Sequence, residues 1–149
     1  MPVDEQTVTV LMADDDREDC LLTELALRQV HPDVALQFVH DGEELLDYLR
    51  HEGRFSGSEA PFPGLILLDV NMPRLDGMQA LRRIKDDPQL RRVPVVMFTS
   101  SYADSDVNQS YDLGASAFIT KPMDFEGYSD SFRKLSGFFL DVALLPTTA

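Results

Sequence analysis

The sequence predicts an α/β fold of the doubly wound type, a parallel sheet with helices packed on both faces. Two observations carry this. Short apolar runs alternate five times with stretches of helical periodicity. One of those runs, Leu65-Ile66-Leu67-Leu68, is apolar on both faces, as a central parallel strand covered from both sides must be.

The first strand covers residues 8–13 and ends at Asp14-Asp15-Asp16. Leu21, Leu22, Leu25, Ala26 and Val30 then recur at helical spacing, and His31-Pro32-Asp33 stops that helix. A second strand is expected over 34–39, followed by an Asp41-Gly42 turn and a helix over 43–50 with Leu45, Leu46 and Leu49 on one face. Residues 51–64 carry Gly53, Gly57, Pro61, Pro63 and Gly64 and read as a surface loop. The central strand, 65–68, ends at Asp69. A helix follows over 77–86, with Met78, Leu81 and Ile84 inward. The fourth strand, 93–98, ends at Thr99, and a helix over 104–113 is closed by Gly114. The fifth strand, 116–120, ends at Lys121-Pro122, and the last helix is expected over 124–140.

A chain of 149 residues suits one domain, here 1–149, with a core at 7–125 and a final helix and apolar tail at 124–146. The single cysteine, Cys20, excludes an internal disulfide and a cysteine metal cluster. No apolar run approaches the roughly 18 residues that span a bilayer. The start, Met1-Pro2-Val3-Asp4-Glu5, lacks the positive charge of a signal peptide, so a cytoplasmic protein is expected. A formal net charge of −13 repels phosphate backbones and argues against nucleic-acid binding.

In open parallel sheets the functional crevice lies beyond the carboxyl ends of the strands. Those ends carry Asp14-Asp15, Asp69, Thr99 and Lys121. Clustered carboxylates repel one another and call for protonation or a cation. A hard ion such as Mg²⁺ fits a few carboxylates plus water and a phosphate oxygen. Lys121 supplies a compact positive charge, and the Thr99 hydroxyl a donor. These are the parts for phosphoryl transfer, with Asp69 as the nucleophile.

Each residue alone has a plainer reading. Asp14, Asp15 and Asp16 could all be helix-capping acids, and Asp16 is read that way. Thr99 alone reads as a turn residue and Lys121 as a solvated lysine. Their joint position at successive strand ends is what favours the chemical reading. His31, His40 and His51 lack metal-ligand spacing and read as structural or surface residues, and the methionines as core filler.

The chain resembles the response-regulator receiver family through Val10-Leu11-Met12-Ala13-Asp14-Asp15, Leu65-Ile66-Leu67-Leu68-Asp69-Val70-Asn71-Met72-Pro73, Leu75-Asp76-Gly77, Pro94-Val95-Val96-Met97-Phe98-Thr99-Ser100 and Gly114-Ala115-Ser116-Ala117-Phe118-Ile119-Thr120-Lys121-Pro122. The resemblance implies a flavodoxin-like (βα)5 fold with strand order 2-1-3-4-5. It implies that Asp69 accepts a phosphoryl group from a sensor histidine kinase. Asp15 would ligate Mg²⁺ directly, Asp14 mostly through water, and Asn71 through its backbone carbonyl. Thr99 and Phe118 would be the switch pair, Phe118 turning inward as Thr99 is drawn to the phosphoryl group. The protein would be a phosphoacceptor switch that assists its own phosphorylation and dephosphorylation, rather than an enzyme.

A narrower likeness rests on Asp41-Gly42, Ala60-Pro61, Ile84-Lys85-Asp86-Asp87-Pro88, Leu90-Arg91-Arg92-Val93-Pro94, Tyr111-Asp112-Leu113-Gly114, Lys121-Pro122-Met123-Asp124-Phe125 and the tail from Phe138 to Pro146. It is similar to the single-domain regulators that partner bacterial phytochromes. That group usually has Trp where Phe139 stands here. Phe138, Phe139, Leu140, Leu144 and Leu145 are many apolar residues for a chain end. Either they fold back on the core or they pair with a second copy, and the resemblance favours a homodimer. Asn71 and Ser101 flank the site, where they would steer water. Tyr102 and Tyr111 have two readings of equal weight, a place on the fourth-helix surface that responds to phosphorylation and a plain packing role.

Two other readings compete. A haloacid-dehalogenase-type phosphohydrolase also uses a strand-end Asp, a Thr or Ser, a Lys and an acid pair around Mg²⁺. It places the nucleophile early and the acid pair last, the reverse of the order here. A receiver-like interaction module that no longer takes phosphate would have lost Asp69, Lys121 or the acid pair, all of which are present.

Overall fold

β3 (Leu65–Leu68) runs through the middle of the molecule with every side chain fully buried. The computed structural model describes residues 7–146, so the acidic start of the chain lies outside it. β3 is flanked by β1 (Thr9–Ala13) and β4 (Val95–Thr99), with β2 (Ala35–Val39) and β5 (Ala117–Thr120) at the edges. All pairings are parallel and the order is β2-β1-β3-β4-β5, the flavodoxin-like arrangement the sequence implied.

Alternation along the strands divides the core into two layers. Leu11, Ala13, Ile66, Leu68, Val95 and Met97 face one side. There they meet α2 (Gly42–Arg50) through Leu45 and Leu49, and α3 (Gly77–Asp86) through Leu81 and Ile84. α4 (Asp104–Leu113) closes the same side through Leu113. Val10, Met12, Leu65, Leu67, Val96 and Phe98 face the other side. They meet Ala26 and Leu27 of α1 (Arg17–Val30) and Tyr128, Phe132 and Leu135 of α5 (Phe125–Ser136). Each large side chain buried this way contributes about 1.5–3 kcal/mol.

Acidic caps start α1, α2, α3 and α5. Asp16 accepts from the amides of Glu18 and Asp19, Asp41 from Glu44, and Asp124 from Gly127. Asp76 forms a reciprocal capping box with Gln79. Gly114, at φ 107°, ends α4 in a conformation that costs other residues energy.

The structure corrects several boundaries. β4 begins at Val95 rather than 93, because Val93 donates backward to Leu90 and Pro94 has no N–H to give a ladder. β2 begins at Ala35, since Val34 N–H closes a turn onto His31. β5 begins at Ala117. The 51–64 loop is less of a surface feature than expected. It contains a 3-10 turn at Gly53–Phe55, and Phe55, Ala60 and Phe62 pack on the core. Tyr48 donates to the Pro61 carbonyl at 2.8 Å.

The last helix is not one continuous α-helix over 124–140. α5 stops at Ser136 and continues as a π-helical turn, Gly137–Val142, closed by the Ala143 amide on the Phe138 carbonyl at 2.8 Å. His31 Nε2 lies 3.0 Å from Asp141 Oδ1, so the end of α1 meets this turn.

Candidate functional site

Asp14 follows β1, Asp69 follows β3, Thr99 ends β4 and Lys121 follows β5. The sheet's ladder continues into these positions. The Asp14 amide donates to the Val39 carbonyl, the Asp69 amide to Ala13, and the Lys121 amide to Thr99 at 2.7 Å. Four residues far apart in sequence therefore converge at one edge because the strands are parallel and in register.

The Lys121 ammonium is the centre of the cluster. Its Nζ lies 2.6 Å from Asp19 Oδ2, 2.7 Å from Asp14 Oδ2 and 3.0 Å from Asp69 Oδ2. Burial pulls its pKa down, but the contacts with Asp14 and Asp19 and the fields of Asp14 and Asp69 outweigh that and hold it well above the usual lysine range. Asp14 is fully buried, and this burial pushes its pKa up to about 6 although Lys121 and the Asp16 amide pull it back. Its Oδ1 accepts from the Asp16 amide at 2.9 Å. Its Oδ2, by contrast, makes a close ion pair with Lys121 that is not aligned as a hydrogen bond, so no donor satisfies it.

One oxygen each from Asp14, Asp15 and Asp69 lies within 4.8 Å of the others. Asp14 and Asp69 are buried and Asp15 is exposed. A buried carboxylate oxygen without a donor, beside two more carboxylates and open to water on one side, suits a hard divalent cation that keeps part of its hydration. The Asn71 amide lies 3.5 Å from Asp69 Oδ1, which sets the segment after β3 against the carboxylate. Gly77 is required by the same approach, because a Cβ there would collide with the Asp69 carbonyl.

Thr99 is fully buried, and its Oγ1 accepts from the Ser101 amide at 3.4 Å. By strand alternation Thr99 and Phe118 project to the same face of the sheet, since Phe118 pairs with Met97. Phe118 is half-buried against the first core layer, and its amide donates to the Tyr111 hydroxyl at 3.2 Å. Tyr102, just before α4, and Tyr111, on α4, are both exposed.

Asp16 is a helix cap; its side chain accepts from the Asp19 amide at 3.1 Å but does not reach Lys121. Asp19 was not expected. It sits in the first turn of α1, pairs with Lys121, and accepts from the Tyr128 hydroxyl of α5 at 3.3 Å. Cys20 borders the site, its thiol 3.7 Å from the Asp14 carbonyl; burial and the nearby carboxylates push its pKa up to about 12, leaving a neutral thiol.

The apolar tail divides into two groups. Phe139 and Leu140 pack against the second core layer, and Leu145 is half-buried in a crevice with Val8, Phe62 and Gly64. Phe138 and Leu144 are exposed, with Val142 beside them.

A five-stranded receiver fold with acids at the ends of β1 and β3 and a lysine after β5 is the arrangement of the response regulators. The model of the response regulator receiver domain matches residues 10–131, and the chain belongs to that family. It is 33% identical over 137 residues to response regulator Rcp1 of Synechocystis sp., covering 92% of each chain. The crystal structure of the Mn²⁺-bound form of Rcp1 superimposes with a TM-score of 0.86 at 31% identity, over 94% of this chain and 99% of that one. The phosphorylated cyanobacterial phytochrome response regulator RcpA gives a TM-score of 0.88 at 35% identity, over 95% and 99%. RPA3017, from red light signaling of R. palustris, gives 0.87 at 35% identity over the same shares.

Proposed function

We propose that this chain is a phosphorylation switch in two-component signalling, with Asp69 as the phosphoacceptor. The observation that carries the reading is the convergence of Asp14, Asp15 and Asp69 around an open oxygen cluster with Lys121 Nζ 3.0 Å from Asp69 Oδ2. An Asp69 oxygen attacks the phosphorus of a phosphohistidine on a sensor kinase. The P–N bond breaks, its electron pair returns to the imidazole, and an acyl phosphate forms on Asp69. Lys121 and the Thr99 hydroxyl meet the charge of the transferred group. Asp14, Asp15, Asp69 and the Asn71 carbonyl would hold Mg²⁺, which neutralises the approaching phosphoryl oxygens. The Mn²⁺ form of Rcp1 supports a divalent ion at such a site.

Movement of Thr99 toward the phosphoryl group vacates space on the face it shares with Phe118, and Phe118 turns inward. The response is a population shift between two arrangements of that surface. The kinase is a phytochrome or a related sensor, in keeping with the phytochrome regulators the chain is similar to. The exposed Phe138, Val142 and Leu144 form the part of the tail that a second copy would cover in a homodimer. The reading makes the protein a cytoplasmic switch and not a turnover enzyme, and its acidity keeps it off nucleic acid.

Intact mass after incubation with acetyl phosphate and Mg²⁺ tests the reading. One phosphoryl adduct is expected on the wild type and none on Asp69→Asn. Absence of the adduct from the wild type at every Mg²⁺ concentration overturns it.

A further inference from the structure

Lys121 is bound by one carboxylate more than phosphoryl transfer requires. Asp14 and Asp69 belong to the oxygen cluster that would take the metal, and Asp19 does not. Yet Asp19 makes the shortest of the ammonium's contacts, 2.6 Å, at an interior position where Lys121 is 6% and Asp19 20% exposed. Two of the ammonium's three N–H groups are donated, to Asp19 Oδ2 and Asp69 Oδ2, while Asp14 Oδ2 crowds it at 2.7 Å without an aligned bond. A phosphoryl oxygen on Asp69 has to draw the ammonium against its bond to Asp19.

The second oxygen of Asp19 faces another element. It accepts from the Tyr128 hydroxyl, which comes from α5. The Tyr128 ring is locked among Phe98 and Phe132, with centroids 5.6 and 6.5 Å away. Phe98 directly precedes Thr99 in β4. Asp19 thus joins the charged cluster to the aromatic layer beneath α5.

We propose that Asp19 is a positioning residue for Lys121, competing with a phosphoryl group on Asp69 for the ammonium, with Tyr128 setting the strength of that competition. The proposal rests on Asp69 being the phosphoacceptor. The Tyr128 hydroxyl draws charge from the Asp19 carboxylate and weakens its hold on Lys121. Losing the hydroxyl tightens the hold; losing the carboxylate abolishes it.

The test is the initial rate of adduct formation from acetyl phosphate at saturating Mg²⁺, read by intact mass, for the wild type, Asp19→Asn, Tyr128→Phe and the double variant. Asp16→Asn is the control, because it makes the same charge change on the same helix without touching Lys121 and Asn caps as well as Asp. Asp19→Asn should react about threefold to tenfold faster than the wild type. Tyr128→Phe should react about twofold slower, and should have no effect when Asp19 is already Asn. Opposite signs and dependence on background separate positioning from a general loss of structure. Equal rates for Asp19→Asn and Asp16→Asn, a slower Asp19→Asn, or an effect of Tyr128→Phe that survives in the double variant overturns the proposal. An unmodified wild type overturns instead the phosphoacceptor reading on which it stands.

Discussion

Lys121 Nζ lies 3.0 Å from Asp69 Oδ2 although the residues are 52 positions apart, and the contact exists because β3 and β5 both end at the same edge of the sheet. Without that ammonium, Asp14, Asp19 and Asp69 would face one another uncompensated. Lys121→Met should therefore tighten Mg²⁺ binding by about tenfold while slowing adduct formation by at least as much. Isothermal titration with Mg²⁺ and mass spectrometry of the same samples check the two opposite effects. Weaker Mg²⁺ binding would contradict the charge argument.

Asp14 gives the metal-free protein a distinctive pH dependence. Its folded-state pKa is raised from 3.8 to about 6, chiefly by burial. Between those values the folded state holds a proton that the unfolded state has released. Stability from this group therefore falls as pH rises through the window, by on the order of 2–3 kcal/mol. Urea midpoints in chelator should decline between pH 4 and 6.5 more steeply for the wild type than for Asp14→Asn. Parallel curves would show that Asp14 is not the cause.

Arg74 and Asp41 tie the segment after β3 to the start of α2. Arg74 Nε donates to Asp41 Oδ2 at 3.0 Å, from a backbone at φ 66°. The arginine side chain is 64% exposed, so the ion pair contributes little. Arg74→Gly should leave stability unchanged or raise it by up to about 1 kcal/mol, as the left-handed backbone is relieved. Asp41→Ala should cost about 1–2 kcal/mol through the lost cap on Glu44. Denaturant unfolding of both variants gives the comparison.

The adjacent aromatics Phe138 and Phe139 should behave differently. Phe139→Ala removes packing from the core and should destabilise the fold by about 2–4 kcal/mol. Phe138→Glu alters an exposed ring and should leave the monomer's stability within about 0.5 kcal/mol. It should instead convert a dimer to a monomer in sedimentation velocity. A Phe138→Glu protein that sediments like the wild type would remove Phe138 from the interface.

The strand-end chemistry was legible because Asp14, Asp69 and Thr99 end runs of buried side chains, and Lys121 follows a half-buried edge strand of the same alternating pattern. A short apolar run such as 65–68, bounded by Gly64 and Pro73, reads as a central parallel strand, which puts the acid directly after it at the crevice. Asp19 carried no such mark. An acid in the first turn of a helix looks like a response to the helix dipole, and its partners Lys121 and Tyr128 lie 102 and 109 residues away. The division of the tail was equally hidden. Composition shows that the segment after Gly137 is apolar, but which side chains point inward depends on the π-helical turn, and the residues through it keep an ordinary helical appearance. The late start of β4 was readable in principle, since Pro94 cannot donate to a ladder.

The turn at Gly137–Val142 acts as a phase shifter. Each residue of an α-helix advances the azimuth by about 100°, and a widened turn absorbs one extra residue of that rotation. Deleting a single residue there would restore regular α-helical winding and leave the residues after Val142, Leu145 in its crevice among them, facing as they do now. Deleting one residue earlier in α5 would instead rotate the whole tail by about 100° and redefine which side of it belongs to the core and which is offered to a partner.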